Sequence, residues 1–296
     1  MLTLEDYGYR ISLNPRRGAT INSADWCHPD RGWTPIFEPV EFVHDEYRAG
    51  CFIMAPFANR IADGRFDFQG RQYQTAVNRP EEGMAIHGYV RELPWEIEKV
   101  SKNAVRLFQR IDGPESPWLF HCWFSVILSS EGIEFELRLV NSSVRTMPYG
   151  LGFHPWFPRP FGTTLQFASS GAYARDRRFL TLSQIKSFPR ISDGRTGDLD
   201  LISAFDATFE WSHPRVARIN WPSRNTSLRL EGDGAMKFLQ VYMPEGRDIL
   251  CVEPVSHVPD AVNRPWLDAE MMMTELEPGG ELSGTFRMQA SPLFLD

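Results

Sequence analysis

The sequence predicts an all-β protein, a large antiparallel β-sandwich. Short runs in which apolar and polar residues alternate recur along the chain, and this period of two is typical of strands in a sheet with one buried face. Capped segments with a helical period are nearly absent, and the best candidate helix is Asp268 to Leu276. The 22 glycines and 22 prolines are spread throughout, which is typical of sandwiches and barrels rather than of doubly wound α/β folds.

The alternating runs predict hairpins and longer strands. Arg65–Phe68 and Arg71–Gln74 flank a Gln-Gly turn and predict a hairpin. Trp95–Val100 and Val105–Gln109 form a second such pair around a three-residue turn. Further strands are predicted at Trp118 to Leu128, Ile133 to Val140, Leu228 to Leu230, Lys237 to Tyr242, Ile249 to Val252 and Leu282 to Met288.

The chain is long for one domain but within the range of a large sandwich. It has 296 residues, and no repeat, low-complexity tract or linker divides them. We therefore expect a single domain over residues 1–296. Hydrophobic residues make up 42% of the chain, enough for a large core, and the net charge is −7. An acidic chain lacks the positive field that attracts phosphates, so a nucleic-acid partner is not expected.

Cellular context follows from the termini and the cysteines. No apolar run is long enough to cross a bilayer, and the start MLTLEDYGYR has no basic-then-apolar signal. We expect a cytoplasmic protein with no membrane partner. Cys27, Cys51, Cys122 and Cys251 occur singly, which predicts free buried thiols rather than disulfides. No residues stand at metal-ligand spacing, so neither a metal nor another cofactor is expected.

The stretch GLGFHPWFP, Gly150 to Pro158, places one ionisable residue, His154, among apolar, aromatic, Gly and Pro residues. An unpaired imidazole is costly in a core, so it must be either satisfied or used. Taken alone, the motif leaves both readings open.

Two further segments carry polar residues in unusual places. In APFANRIADGRF, Asn59 and Arg60 lie between apolar stretches before a Gly turn, where an Arg can direct its donors into a cleft or lie on a solvated strand edge. In AIHGYVRELPW, His87 precedes Gly88, so backbone can approach closely beside the imidazole. Taken alone, His87 fits a hydrogen-bonded loop histidine equally well.

Two carboxylates are also candidates. Asp206 lies between Phe205 and Phe209, a combination that suits a sugar site but also an Asp that caps a turn. Glu253 follows a strand-like run and precedes Pro254, so it can lie on the floor of a pocket or form an ion pair at a strand end. Burial in a pocket would raise its pKa and increase its basicity.

Taken in chain order, these motifs resemble the aldose 1-epimerase (galactose mutarotase) family. The motifs are PFANRI, IHG, FHPWF, FDATF, LQVY and VEP with a trailing PDAVN, and the resemblance runs from about Phe52 to the segment Leu276-Glu277-Pro278-Gly279. Gly18 to Ile21 also resembles the opening strand turn of the family. The family's fold is a large antiparallel β-sandwich with a sugar cleft on a concave face, which agrees with the strand prediction.

The resemblance implies a role for each candidate. His154 matches the family's general acid and Glu253 its general base, for interconverting the α and β anomers of a sugar by opening its ring. Residues that match sugar-binding positions are Asn59, Arg60, His87, Asp206 and Gln240. The implied partner is a small-molecule sugar, with no cofactor. We expect the imidazole and the carboxylate to meet across one hollow, with room for a pyranose between them.

Three alternatives remain open. A glycosidase would need two carboxylates about 5 to 10 Å apart, such as Asp206 and Glu253, and would leave the histidines without a role. A non-catalytic sugar-binding protein would not need the acid–base pair. Within the epimerase reading, a hexose 6-phosphate would need basic residues at the mouth of the cleft, for which Arg79, Arg159 and Arg264 are available.

Overall fold

The computed structural model describes residues 1–38, 50–114, 116–186, 197–200 and 202–293. The strands of the described residues are, in chain order, β1 (Leu2–Asp6), β2 (Tyr9–Asn14), β3 (Thr20–His28), β4 (Gly32–Pro35), β5 (Cys51–Met54), β6 (Arg60–Ala62), β7 (Arg65–Phe68), β8 (Arg71–Gln74), β9 (Met84–Ile86), β10 (Glu96–Val100), β11 (Ala104–Ile111), β12 (Phe120–Ser129), β13 (Gly132–Asn141), β14 (Met147–Tyr149), β15 (Gly152–Pro158), β16 (Thr164–Phe167), β17 (Ser169–Arg175), β18 (Thr181–Lys186), β19 (Gly197–Asp198), β20 (Phe205–Trp211), β21 (Val216–Trp221), β22 (Thr226–Gly234), β23 (Phe238–Met243), β24 (Ile249–Val255), β25 (Thr274–Leu276) and β26 (Glu281–Pro292). The helical segments among them are three 3₁₀ turns at Pro222–Arg224, Ala261–Asn263 and Ala269–Met271.

Two large antiparallel sheets contain most of these strands. The larger, of 11 strands, has the order β1-β2-β3-β5-β15-β24-β23-β20-β17-β18, with β4 paired to β3. The smaller, of nine strands, has the order β10-β11-β12-β13-β26-β22-β21-β16-β19. The ribbons β14-β25, β6-β9 and β7-β8 complete the described sheets. The predicted all-β antiparallel sandwich is therefore confirmed.

The core lies between the two large sheets and contains many aromatic side chains. Phe153 of β15 contacts Phe135 of β13 and Phe286 of β26, with ring centroids 6.0 and 5.8 Å apart. Because successive residues of a strand point to opposite faces, His154 points away from this core. The period-two pattern of GLGFHPWFP thus places Phe153 and Phe157 in the core and directs the imidazole to the opposite face of the larger sheet.

The predicted strands are present, several of them longer than predicted. The hairpin of β7 and β8 has the predicted bounds, and β10 pairs with β11 as predicted. Strand β26 extends to Pro292, beyond the predicted end at Met288. It is longer because β22 pairs with it as far as Pro292 and satisfies its backbone groups there, whereas its pairing with β13 ends at Met288.

The best candidate for a helix, Asp268 to Leu276, does not form an α-helix. Only Ala269–Met271 forms a 3₁₀ turn, and no side chain caps it. Thr274–Leu276 instead pairs as β25 with β14. A short segment gains little from isolated helix formation, and the neighbouring strand satisfies its backbone groups better.

The four cysteines are free, as predicted, but their burial differs. Cys51, Cys122 and Cys251 are buried, whereas Cys27 is exposed, so the prediction of a buried thiol is wrong there. Cys27 lies on β3 with its neighbours Trp26 and His28 buried, so strand alternation turns its side chain outward. Within the described ranges, no helix combines the length and the apolar character needed to cross a bilayer.

Candidate active site

A cavity of about 940 Å³ lies over the face of the larger sheet that points away from the core. Its volume lies within the range of small-molecule sites. All seven site residues predicted from the sequence line it: Asn59, Arg60, His87, His154, Asp206, Gln240 and Glu253. The structure therefore brings together residues that are up to 194 positions apart in the chain, from Asn59 to Glu253.

Three of these residues form a row across the floor of the cavity. The register of β15 on β24 places His154 opposite Glu253, and β23 pairs Gln240 with Glu253. Side chains directly opposite each other on neighbouring strands lie close together on the same face. The sheet register therefore fixes the imidazole, the carboxyl group and the amide side by side.

The imidazole and the carboxyl group are neighbours on the floor. His154 Nε2 lies 3.4 Å from Glu253 Oε1, and the two side chains are 8% and 3% exposed. The expectation that a pyranose would fit between them is thus wrong, because adjacent strands of one sheet are too close to leave such a gap. A sugar would instead lie over both groups.

Burial determines the electrostatics of the pair. Desolvation raises the pKa of Glu253 well above its usual value, with a further increase from Asp206 that Arg175 and Arg60 partly oppose. Desolvation also lowers the pKa of His154 to about 3, and the charge of Arg91 acts in the same direction. A dry site disfavours the charged form of each group, so burial shifts the pair towards a protonated carboxyl group beside a neutral imidazole.

Aromatic rings fix the plane of His154. Its imidazole stacks on Phe52 at 4.4 Å and on Trp156 at 5.2 Å, and the edge of His87 approaches at 5.2 Å. Its Nδ1 atom is buried and has no hydrogen-bond partner within the described residues. The ring is therefore oriented by packing, with Nε2 directed at Glu253.

Asn59 and His87 hold each other in place at the side of the cavity. The Asn59 N–H donates to His87 Nδ1 at 3.2 Å, and the His87 N–H donates to the Asn59 carbonyl at 2.9 Å. Because Nδ1 accepts, the neutral His87 ring carries its proton on Nε2 and is a hydrogen-bond donor there. Both residues have positive φ, 56° and 64°, a strained conformation that is often found at functional sites.

Gly88 allows the close approach that the sequence predicted beside His87. Its φ is +67°, and a Cβ there would lie 2.0 Å from the carbonyl oxygen of Ala55. A side chain would therefore push the His87 loop away from the strand that carries Phe52.

His257 supports the segment that carries Asn59. The Ala58 N–H donates to its Nε2 at 3.1 Å, and its Nδ1 lies 2.8 Å from the Val258 carbonyl. Burial lowers the pKa of His257 to about 4, so the ring is neutral. A neutral ring that accepts at Nε2 donates at Nδ1, so both ring nitrogens are satisfied.

Replacing His257 by Ala should destabilise the protein. The Ala58 N–H would lose its acceptor in a buried place, which costs about 1–3 kcal/mol for an unsatisfied donor. Urea unfolding should show a lower midpoint, whereas His121→Ala, on the smaller sheet, should have a smaller effect. An unchanged midpoint for His257→Ala would contradict the supporting role.

Asp206 lies in the cavity and is held by a buried arginine that the sequence analysis missed. Arg175 Nη1 donates to Asp206 Oδ1 at 2.6 Å, and Nη2 donates to Thr208 Oγ1 at 2.8 Å and also to Gln240 Oε1. Gln240 in turn donates to Asp206 Oδ1. Nothing in the strand pattern marks Arg175, because it precedes a polar Asp-Arg-Arg turn that is typical of solvent exposure.

Arg60 lies at the mouth of the cavity and has several partners. It donates to Glu82 Oε2 at 3.3 Å and to Asn59 Oδ1 at 3.2 Å. Its guanidinium carbon lies 5.2 Å from the centre of the Phe179 ring. These contacts fix the orientation of the Arg60 guanidinium in the cavity.

One set of residues has the chemistry to hold a metal ion. His154, Cys251 and Glu253 offer ligand atoms that lie within 4.8 Å of one another. A thiolate, an imidazole and a carboxylate suit a soft divalent cation such as Zn²⁺. Sequence spacing did not predict this set, because β15 and β24 bring it together across the sheet.

Two of the arginines considered for a phosphate do not line the cavity. Arg159 donates to the backbone carbonyls of Leu199, Ile202 and Arg247, and Arg264 pairs with Asp260. Both therefore stabilise loops. Arg79 does line the cavity.

Comparisons with known proteins agree with this fold. A family model described as aldose 1-epimerase matches residues 2–289. YphB, an uncharacterized protein of Escherichia coli K12, is 25% identical over 251 residues, which are 79% of this chain and 82% of YphB. A galactose mutarotase-like protein of Clostridium acetobutylicum superposes with a TM-score of 0.85 at 19% identity, over 98% of this chain and 94% of that one. The GalM/aldose epimerase homologue of C. elegans gives 0.83 at 14% identity, over 99% of both chains.

Proposed function

Because the chain belongs to the aldose 1-epimerase family, we propose that it is a mutarotase, an isomerase that interconverts the α and β anomers of an aldose. One observation carries the proposal: a buried imidazole and a buried carboxyl group lie 3.4 Å apart on the floor of a sugar-sized cavity. Such a pair can accept one proton and donate another in the same step.

Anomer exchange needs two proton transfers at neighbouring atoms. A base removes the proton of the anomeric hydroxyl while an acid protonates the ring oxygen, and the bond from C1 to the ring oxygen breaks. The aldehyde rotates about the C1–C2 bond, and the ring closes on the other face with the transfers reversed. Both oxygens are bonded to C1, so an acid and a base that are themselves adjacent match them.

We assign Glu253 as the base and His154 as the acid for ring opening. The pair holds one proton, and the two partners are close enough to exchange it when a sugar displaces solvent. Whichever partner carries the proton, one group accepts from the anomeric hydroxyl while the other donates to the ring oxygen. The reaction needs no net proton uptake and no cofactor.

The other lining residues would bind and orient the sugar. His87 Nε2–H and the Arg60 guanidinium are donors for hydroxyl or ring oxygens, and the Asp206 carboxylate is an acceptor for sugar hydroxyls. Asn59 and Gln240 add amide groups on two sides of the cavity. Orientation of this kind holds C1 over the acid–base pair and lowers the entropic part of the barrier.

The pH dependence of exchange should reflect the shifted pKa values. Because the pKa of His154 is lowered to about 3 and that of Glu253 is raised, the form with one proton extends well below the ordinary imidazole pKa of about 6.5. Enzymatic exchange should therefore persist at pH 5, and it should fall on the alkaline side as Glu253 loses its proton. NMR exchange spectroscopy with subtraction of the buffer rate measures this profile. An acidic limb centred near 6.5 would contradict it.

A panel of freshly dissolved single anomers tests the function itself. Polarimetry should show faster equilibration of at least one aldose in the presence of the protein. An aryl glycoside tests the glycosidase alternative, which we rank lower because Asp206 is bound by Arg175 and Gln240 rather than free to attack. Release of the phenol without anomer exchange would replace the proposal.

A further inference from the structure

The walls of the cavity are rich in arginine, although the chain as a whole is acidic. The net charge of the chain is −7, yet six arginines line the cavity: Arg60, Arg79, Arg91, Arg177, Arg178 and Arg247. Four lining residues carry carboxyl groups: Glu82, Asp206, Glu245 and Glu253. A concentration of guanidinium groups at one concave site in an acidic protein attracts anions to that site.

Most of these arginines already have an acidic partner. Four of them form ion pairs: Arg60 with Glu82, Arg79 with Glu81, Arg91 with Glu92 and Arg178 with Asp63. Arg177 and Arg247 differ, since neither guanidinium has an acidic partner within 4.0 Å among the residues that the structure describes. These two are the lining arginines whose charge is not offset by an acidic partner within 4.0 Å in the described part of the chain.

The topology brings Arg177 and Arg247 to the same end of the larger sheet. Arg177 lies in the turn after β17 and Arg247 in the turn after β23. Both strands are antiparallel to β20, which lies between them, so they run in the same direction and their following turns are close together. The two guanidinium groups therefore face the cavity from neighbouring turns.

This end is separated from the acid–base pair by a distance that suits a substituted sugar. Ile249, the first residue of β24, precedes Glu253 by four residues, which is about 13 Å along an extended strand. An arginine side chain reaching inward and a pyranose with its C1 over Glu253 together span that length. A group on the far side of the sugar ring would then meet the arginines.

We propose, on the basis of the proposed mutarotase function, that the natural substrate is an aldose with an anionic substituent on the carbon farthest from C1. Arg177 and Arg247 bind that group, which is a phosphate, a sulfonate or a carboxylate. Arginine suits all three, because its planar fork donates two parallel hydrogen bonds to paired oxygens. Glu245, in the same turn as Arg247, also lines the cavity, and its carboxylate opposes an anion, so the two guanidinium groups must outweigh its charge.

The test compares one sugar in four forms. Anomer exchange of glucose, its 6-phosphate, its 6-sulfonate analogue and its 6-carboxylate is measured by NMR exchange spectroscopy with the full-length protein. We expect kcat/KM for at least one anionic form to exceed that for glucose by about ten- to a hundred-fold, the range for charge-assisted hydrogen bonds. The most accelerated form identifies the anion. Added NaCl should reduce this advantage, because it screens exposed charges.

Variants assign the effect to the two arginines. In Arg177→Gln/Arg247→Gln, KM for the preferred anionic sugar should rise at least ten-fold with kcat little changed, since binding remote from C1 is lost. Exchange of glucose should fall far less, because glucose carries no anionic group for the two arginines to bind. Arg71→Gln, at an exposed position of β8 outside the cavity, is the charge-matched control and should behave as wild type for every sugar.

The outcomes separate this inference from the proposed function. Exchange of glucose without any advantage for the anionic forms overturns the inference and leaves the mutarotase proposal intact. An advantage that survives in the double variant overturns the assignment to Arg177 and Arg247. No acceleration for any sugar in the panel of aldoses overturns the mutarotase proposal, and this inference with it.

Discussion

Glu253→Gln should reduce enzymatic anomer exchange by about a hundred- to ten-thousand-fold, the contribution of a positioned general base. The amide has nearly the shape of the carboxyl group but cannot take up the anomeric proton. Because Glu253 is buried and desolvation raises its pKa, a neutral amide suits its surroundings, and the substitution should leave folding nearly intact. Exchange rates from NMR, together with thermal unfolding, test both parts of this expectation.

Glu210→Gln provides the matched control for Glu253. Glu210 lies on β20 of the same sheet but does not line the cavity. This variant should therefore exchange anomers at the wild-type rate. Equal rates in wild type and Glu253→Gln would remove the carboxyl group from the mechanism, and equal losses in both variants would indicate a general effect of removing a charge from the sheet.

Arg175→Met should cause the largest loss of stability among single substitutions in the site. The substitution leaves the Asp206 carboxylate, 16% exposed, without its charged partner, and it also removes hydrogen bonds to Thr208 and Gln240. Breaking a buried ion pair on one side costs about 3–5 kcal/mol. The midpoint of urea unfolding should fall accordingly, and KM for the sugar should rise because Asp206 and Gln240 lose their positions.

Three further variants make the Arg175 prediction specific. Arg175→Lys should recover part of the stability, because an ammonium group replaces the charge but not the fork of donors. Arg175→Met combined with Asp206→Leu should be more stable than Arg175→Met alone, since no unpaired charge is left. Arg106→Met, which breaks an exposed pair with Glu98, should change stability by less than about 1 kcal/mol. An Arg175→Met variant as stable as Arg106→Met would disprove the network's role.

Local sequence patterns predicted much of the fold and many residues of the candidate site. Alternation alone separates Phe153 from His154, one in the core and the other in the cavity. Short motifs with Gly or Pro beside a polar residue marked His87 and Glu253, because tight backbone geometry there has a local cause. Their convergence on one cavity was predictable only through the family resemblance.

Local sequence patterns do not predict which distant segments of the chain pair with each other. The distance of 3.4 Å between His154 and Glu253 depends on how β15 registers with β24, a relation between segments nearly a hundred residues apart. Arg175 escaped prediction because its partner Asp206 is on another strand. The candidate helix at Asp268 to Leu276 does not form for the same reason, since β14 supplies the partner that makes β25 a strand.

The floor of the cavity consists of strands and its rim of turns, and the two differ in how readily they accept substitutions. The proposed acid and base stand on hydrogen-bonded central strands, where a shift by one residue would exchange His154 with Phe153 and destroy core and chemistry together. Arg177 and Arg247 stand on turns, which tolerate substitution and changes of length. Substitutions in these turns can therefore change which sugars bind, whereas the register of the sheet keeps the proposed acid and base in place.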